Sequence, residues 1–310
     1  MKRRELGSTG IQVSEVGFGA WQLGNARDWS AMTTEEAIGL VHQAVELGCN
    51  FFDTAPNYGG GASQQILGQA LRGRRDQVVL NTKFGHHADG TDFSPQRLRP
   101  SVEASLRALQ TDFLDGVLLH NPPAEYLEGT HPIYLELESL KAEGKIRYYG
   151  ASVDASRDML TVIRTTQSQV LEVLFNALHQ ETAAAFVEAE QRGVGLVVKV
   201  PLDSGWLSGK YSAGSHFEGI RNRWSQEVIA RRSDLIKDLS FLTEGGASMT
   251  QAALAFILGF PEVSTVIPGA KNAAQLRENL SASERPLADA VQRRVIAFWE
   301  QHLKDSPLPW

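Results

Sequence analysis

The sequence predicts an α/β fold of the (β/α)8 TIM-barrel class, and three observations carry that prediction. Short apolar runs recur along the chain, each is followed by an amphipathic stretch with helix-start signals, and eight such units fit into 310 residues, the size of one barrel. A doubly wound sheet needs fewer strands and opens on a G-x-G-x-x-G turn. The first strand here ends in Gly17-Phe18-Gly19-Ala20, without that spacing.

Taken in order, residues 3–6 and 11–13 flank Gly7-Ser8-Thr9-Gly10, a hairpin placed to plug the barrel floor. Strands are predicted at 16–19, 50–53, 78–82, 113–120, 146–151, 170–174, 194–200 and 264–267. Thr33-Thr34-Glu35-Glu36 opens a helical run to Leu47 that closes at Gly48, and Ser94-Pro95 opens another to Leu109. Further helices fit 64–71, 132–143, 155–164, 181–192, 249–259 and 273–280, with a C-terminal helix over 286–302 ahead of a Pro-rich tail. The longest irregular stretch, 202–224, follows the seventh strand, and loops of that length in compact domains are more often functional than idle. No compositional linker divides the chain, so residues 1–310 read as one domain.

Composition narrows the function. With 30 Lys+Arg against 36 Asp+Glu the formal charge is −6, and 42% hydrophobic with 21% charged residues is ordinary for a globular protein. The acidic balance argues against a nucleic-acid partner, and the short cluster Arg72, Arg74 and Arg75 reads as a solvated helix end. A single cysteine, Cys49, rules out an internal disulfide and any zinc site built from several thiolates. The opening residues carry no uninterrupted apolar run of a secretory signal, and nothing approaches the roughly 18 apolar residues of a membrane span. A reducing, cytoplasmic location is expected.

In such barrels the site lies at the carboxyl ends of the strands. The predicted exits hold Trp21, Asp53, Lys83, His120, Ser152, Glu172, Lys199 and Gly269. Asp53, Lys83 and His120 end neighbouring strands, and Tyr58 lies five residues beyond Asp53, ahead of Gly59-Gly60-Gly61. An ammonium beside a phenol lowers the phenol pKa from about 10 and favours proton transfer nearer neutrality. Asp53 supplies the counter-charge a buried lysine needs, and His120 can hydrogen-bond a substrate oxygen. Singly, each has an ordinary explanation: a helix cap, a packed surface ring, a snorkelling lysine, a core histidine. Together at adjacent exits they are better explained by one site.

These residues resemble the aldo-keto reductase superfamily over nearly the whole chain. The resemblance rests on Asp53-Thr54-Ala55 with Tyr58, Asn81-Thr82-Lys83, Leu119-His120-Asn121-Pro122, Ile267-Pro268-Gly269 and Glu278-Asn279. Ser63, Leu67-Gly68 and Gly205-x-Leu207-x-Gly209-Lys210 are similar to members of bacterial type. The resemblance implies an extended nicotinamide dinucleotide bound without a Rossmann motif, and hydride transfer to an aldehyde or ketone, or the reverse oxidation of an alcohol or aldose. It further implies that Tyr58 donates the proton, Lys83 depresses its pKa, Asp53 pairs with Lys83 and His120 positions the carbonyl. Trp21 matches the wall beside the carbonyl, Gly19 and Ala20 line the cofactor, and Trp29 and Trp224 are further wall candidates. Pro201, Leu202, Gly205, Leu207, Gly209 and Lys210 after the seventh strand, with Pro268, Gly269, Lys271, Gln275, Glu278 and Asn279 after the eighth, complete the implied cofactor contacts.

Three features depart from the family pattern. The carboxamide clamp, commonly Ser-Asn plus a Gln, reads Ser152-Val153 and Glu172 here, and a carboxylate accepts hydrogen bonds but cannot donate them. The aromatic that stacks on the nicotinamide is replaced by Lys199, which fits a contact with the pyrophosphate or a pairing with an acid. The Lys and Arg that usually hold a 2′-phosphate are Gly269 and Gln275, with Lys271 two residues on as the substitute cation. That cation favours NADP(H), with NAD(H) possible. A metal-dependent hydrolase is disfavoured, because no H-x-H or H-E-x-x-H occurs and His86-His87 falls in a loop, so no metal site is expected. A rival from another class is a cofactor-binding regulatory or sensor protein on the same barrel. The expected partner is a small-molecule carbonyl or alcohol, not a nucleic acid or a membrane.

Overall fold

The computed structural model describes every residue of the chain except Ser30 and Ala88. Strands β1 (Arg3–Glu5) and β2 (Gln12–Ser14) form the antiparallel hairpin, with Arg3 opposite Ser14. The rest are β3 (Phe18–Gly19), β4 (Phe51–Asp53), β5 (Val79–Phe84), β6 (His86–His87), β7 (Gly90–Thr91), β8 (Leu114–His120), β9 (Ile146–Val153), β10 (Val170–Leu174), β11 (Gly195–Lys199) and β12 (Val263–Val266). Eight of them make one parallel sheet in the order β3-β4-β5-β8-β9-β10-β11-β12. Val16 bridges Val266 in parallel and the Gly17 N–H donates to the Val266 carbonyl at 2.8 Å, joining the two edges into a barrel. The predicted loop at His86-His87 instead pairs with Gly90-Thr91 as a small hairpin above β5.

The side-chain period of a strand, two residues, divides the apolar residues into two cores. Inside the barrel, Phe51, Val79, Leu118, Tyr148, Val170, Val197 and Ile267 pack with Leu6 and Val13 of the hairpin, which plugs the floor. Their strand neighbours Phe52, Leu80, Val117, Leu119 and Val198 point outward into the larger core under the helices. Arg4 locks the hairpin down, donating to the carbonyls of Leu258, Phe260 and Val263.

The helix Thr34–Glu46 starts on the expected capping box of Thr33 and Glu36, and Pro95–Leu109 carries proline in its first turn. The stretch predicted as one helix over 181–192 divides into a 3-10 turn, Glu181–Ala185, and the helix Phe186–Gln191. The C-terminal helix begins at Asp289 rather than 286. A helix the sequence reading lacked, Gln226–Asp238, follows the long loop. Its inward face includes the fully buried Arg232, whose Nε donates to Asp203 at 3.0 Å. That charged residue stands where an apolar one would have kept the helical period, which hid the helix. Among the described residues no helix is long and apolar enough to cross a membrane.

Candidate active site

The site residues continue the inward-facing series of the barrel core. Two positions beyond Phe51, Leu118, Val170, Val197 and Ile267 stand Asp53, His120, Glu172, Lys199 and Gly269, and two steps beyond Val79 the same face of β5 reaches Asn81 and Lys83. Tyr58 arrives on the loop after β4. Gly59, at φ +58, lets that loop touch the turn after β3, where a Cβ would lie 2.8 Å from the Leu23 carbonyl.

Lys83 is the centre of the group. Its buried ammonium donates to Asp53 Oδ1 and, at 3.2 Å, to the Thr54 carbonyl, and it lies 3.2 Å from Glu172 Oε2. Asp53 Oδ2 accepts from Asn81 Nδ2 at 2.6 Å. On the other side Lys83 Nζ is 5.1 Å from the centre of the Tyr58 ring. The rings of Tyr58 and His120 meet edge to face with centroids 6.0 Å apart, and His86 packs edge-on to His120 at 4.9 Å with its Nε2 2.9 Å from the His120 carbonyl.

Two carboxylates about one ammonium share too little positive charge, and their pKa values separate. Asp53 is pushed up to about 8, by burial first and then by the negative charge of Glu172, against the pull of Lys83. Burial works against the charge on Glu172 too, but Lys83 and Lys199 together hold it below the usual carboxylate range. Burial likewise opposes the charge on Lys83, yet Asp53 and Glu172 outweigh it and keep the ammonium charged. For Tyr58 the expected depression is not the net result. Lys83 pulls its pKa down, but burial pushes it up by more, and Asp53 and Glu172 add to the rise. The phenol therefore holds its proton near neutrality. His120 is driven well below the ordinary histidine value by burial, then by Lys83, Lys199 and His86, and is neutral.

At the next exits Ser152 Oγ donates to Glu172 Oε1 at 3.0 Å. Lys199 Nζ donates to Ser152 Oγ at 2.7 Å and to Asn121 Oδ1 at 2.8 Å, and pairs with Asp154 Oδ1 at 2.8 Å. Of the two roles sequence allowed for Lys199, the structure shows the acid pairing. Asn121, at φ +49, stands beside Ser152 with its Nδ2 donating to Asp154. From sequence Asn121 entered only within the His120 motif, with no role of its own, and Asp154 was not singled out; a left-handed asparagine directly after His120 leaves no periodic signal.

The implied cofactor contacts fall into two groups. Gly19 and Ala20 run between the last strand and Asp53: the Gly19 N–H donates to the Pro268 carbonyl at 3.2 Å and the Ala20 N–H to the Asp53 carbonyl at 2.8 Å. Trp21 meets Trp29 edge to face at 6.1 Å, and a Cβ on Gly269 would lie 2.9 Å from Trp29 and 3.0 Å from Gln22 Oε1. In the loop after β11, Gly205 has φ +102 and Gly209 φ +73, and Lys210 is exposed. Leu202 is half-buried. Other candidates are turned to structural work. Pro201 and Leu207 are buried, Glu278 accepts from Ser248 Oγ at 2.6 Å, and Asn279 Nδ2 holds the Gly269 carbonyl at 3.2 Å. Gln275 accepts from the Lys271 N–H at 3.0 Å, and the Lys271 side chain is exposed. Trp224, expected as a pocket wall, is buried against Trp206 and Phe217 and so is a core residue under the loop.

These residues fit a nicotinamide dinucleotide. Gln22 is 1% exposed and neither its amide nitrogen nor its oxygen has a partner, and it lies beside Gly269, whose missing side chain lets Trp29 and Gln22 approach the β12 exit closely. Asp203, Ser204 and Gly205 form a run of positive φ in which the Asp203 N–H donates to the Val200 carbonyl at 3.1 Å and the Gly205 N–H to the Leu202 carbonyl at 2.8 Å, and Arg221 braces it by donating to the Ser204 carbonyl at 3.0 Å. No group of three His, Cys, Asp or Glu able to hold a metal occurs among the described residues.

A barrel with a buried Lys-carboxylate group and a neighbouring tyrosine at its carboxyl rim belongs with oxidoreductases built on this fold. The chain belongs to the aldo/keto reductase family, whose model matches residues 15–300. It is similar to L-galactose dehydrogenase of Arabidopsis thaliana, 31% identical with 90% of this chain and 87% of that one covered. It is 30% identical to NADH-specific methylglyoxal reductase of Escherichia coli, over 94% and 96% of the two chains. Among solved structures, the holo form of aldo-keto reductase AKR11C1 from Bacillus halodurans superposes with a TM-score of 0.80 at 27% identity, covering 97% of this chain and 99% of that one. The family uses nicotinamide cofactors and acts on small-molecule carbonyl compounds.

Proposed function

We propose that this chain transfers a hydride between NADP(H) and the carbonyl carbon of an aldehyde or ketone, with Tyr58 as the general acid in reduction and the general base in oxidation. The single observation that carries the reading is the convergence of Tyr58, Lys83, Asp53 and His120 at adjoining strand exits, with Lys83 Nζ 5.1 Å from the Tyr58 ring. When bound, the reduced nicotinamide supplies the hydride. Tyr58 keeps its proton until the carbonyl oxygen gains negative charge, and the Lys83 ammonium then stabilises the phenolate left behind. The neutral imidazole of His120 donates a hydrogen bond that fixes the carbonyl oxygen. Trp21 and Trp29 wall the substrate, and Ser152 with Asn121 offers polar atoms to the cofactor's amide.

Lys271 supports the preference for NADP(H), since a 2′-phosphate needs a cation; the name of the methylglyoxal-reducing relative makes NADH the comparison to run. The regulatory reading is the weaker one, because a sensor has no use for a complete proton-donating group. The test is a panel of small aldehydes, ketones and sugars, assayed with NADPH and NADH in both directions, alongside tryptophan-fluorescence titration of each cofactor. The reading expects tighter binding of NADPH and turnover of at least one carbonyl class. Binding of neither dinucleotide overturns it.

A further inference from the structure

We propose that Glu172, Ser152, Lys199 and Asp154 form a proton path from solvent that recharges Tyr58 through Lys83, an inference that rests on the reading of Tyr58 as the proton donor. Each turnover in the direction of reduction leaves a phenolate beside a fully buried lysine, so a proton must come from elsewhere. Of the two carboxylates on Lys83, Asp53 leads nowhere: its second oxygen is held by the Asn81 amide, which cannot release a proton. Glu172 leads outward. Its Oε2 is 3.2 Å from Lys83 Nζ, its Oε1 accepts from Ser152 Oγ at 3.0 Å, and Ser152 Oγ accepts from Lys199 Nζ at 2.7 Å. Lys199 reaches Asp154 Oδ1 at 2.8 Å, and exposure rises along the series, from 0% for Lys83 and 2% for Glu172 to 12% for Lys199 and 37% for Asp154. The series thus alternates ion pairs at its two ends, Lys83–Glu172 and Lys199–Asp154, with two hydrogen bonds between them that both point inward, from Lys199 to Ser152 and from Ser152 to Glu172. Glu172 and Lys199 are also two of the positions where this sequence leaves the family pattern, and Ser152 joins them.

In one cycle the Tyr58 O–H bond breaks as the substrate O–H forms, and a Lys83 N–H bond breaks as the phenol O–H is restored. The ionised Glu172 accepts the Ser152 hydroxyl proton as Ser152 takes one from the Lys199 ammonium, Glu172 then hands its proton to the neutral Lys83 nitrogen and is a carboxylate again, and water at Asp154 reprotonates Lys199. One proton enters from solvent and no electrons move. Glu172 is thus a positioning residue that acts through Lys83. The groups facing it are Asp53 on β4, Lys83 on β5, Ser152 on β9 and Lys199 on β11, with Tyr58 and His120 next to Lys83.

The experiment compares wild type, Glu172→Gln and Glu172→Ala in carbonyl reduction, in H2O and D2O, with NADPH affinity read separately by tryptophan fluorescence. Glu172→Gln keeps the shape and the hydrogen bond from Ser152 but removes the group that carries the proton. We expect its kcat to fall about 100-fold near pH 8, with the solvent isotope effect changed and NADPH affinity retained, and formate to restore part of the rate in Glu172→Ala. Wild-type kcat and isotope effect in Glu172→Gln overturn the path while leaving the role of Tyr58 intact, and loss of NADPH affinity with unchanged kcat overturns it in favour of cofactor clamping. A wild type that turns over no carbonyl removes the reading of Tyr58 and the path with it.

Discussion

Lys83 Nζ lies 3.2 Å from Glu172 Oε2, so the buried ammonium that serves Asp53 serves a second carboxylate as well. The barrel therefore encloses one positive and two potential negative charges at the floor of its site. Lys83 is as much a structural counter-ion as a partner for Tyr58.

Removing it should show both roles. Lys83→Met leaves Asp53 and Glu172 buried without their cation, which costs about 3–5 kcal/mol of stability, and it abolishes carbonyl reduction near neutrality. Adding Glu172→Gln to Lys83→Met removes the carboxylate that Lys83 had kept ionised, so the double variant should unfold at higher urea than the single one. Equal midpoints would separate Glu172 from Lys83.

The neutral His120 gives a pH dependence with a definite sign. Its pKa lies well below the ordinary histidine value of about 6.5 in the folded state, so below about 6.5 the unfolded chain takes up a proton that the folded one refuses. This contribution to stability is full above that pH and is lost as the pH falls through it. The gap in melting temperature between wild type and His120→Gln should shift toward the variant between about pH 7.5 and 5.5. A gap that does not change with pH would contradict the neutral assignment.

Gly269→Ala tests the close approach of Trp29 and Gln22 to the β12 exit. The added Cβ would lie 2.9 Å from Trp29 and 3.0 Å from Gln22 Oε1, so the indole must move. Tryptophan emission should change and both nicotinamide cofactors should bind more weakly, in parallel. Unchanged emission and affinity would show that nothing is bound there.

Lys271→Ala tests the 2′-phosphate. Loss of a charge-assisted contact should raise the NADPH dissociation constant about tenfold and leave that of NADH nearly unchanged. Parallel changes would remove Lys271 from that role.

Much of this was legible in the sequence because period-two alternation and strand-exit chemistry are both local signals. The inward series that runs Phe51 to Asp53, Val170 to Glu172 and Val197 to Lys199 can be counted from the residues alone, and so could the hairpin plug. What escaped was set by tertiary partners. Arg232 hid a helix because its charge is paired with Asp203, which lies in a loop 29 residues earlier. Asn121 and Asp154 gained a place in the site only when Lys199 crossed to them. Trp224 read as a wall because an aromatic in a loop carries no sign of which way it faces. The pKa of Tyr58 needed the whole cluster: a lysine alone predicts a drop, and burial with two acids reverses it.

The role of Tyr58 is tested most directly by following the reduced-nicotinamide absorbance with a reactive aldehyde, comparing wild type with Tyr58→Phe and measuring NADPH affinity for each. Affinity should be equal in the two, while aldehyde-dependent oxidation of NADPH should be present in wild type and reduced at least about 100-fold in Tyr58→Phe. Equal rates in the two proteins would contradict the assignment of Tyr58 as the proton donor.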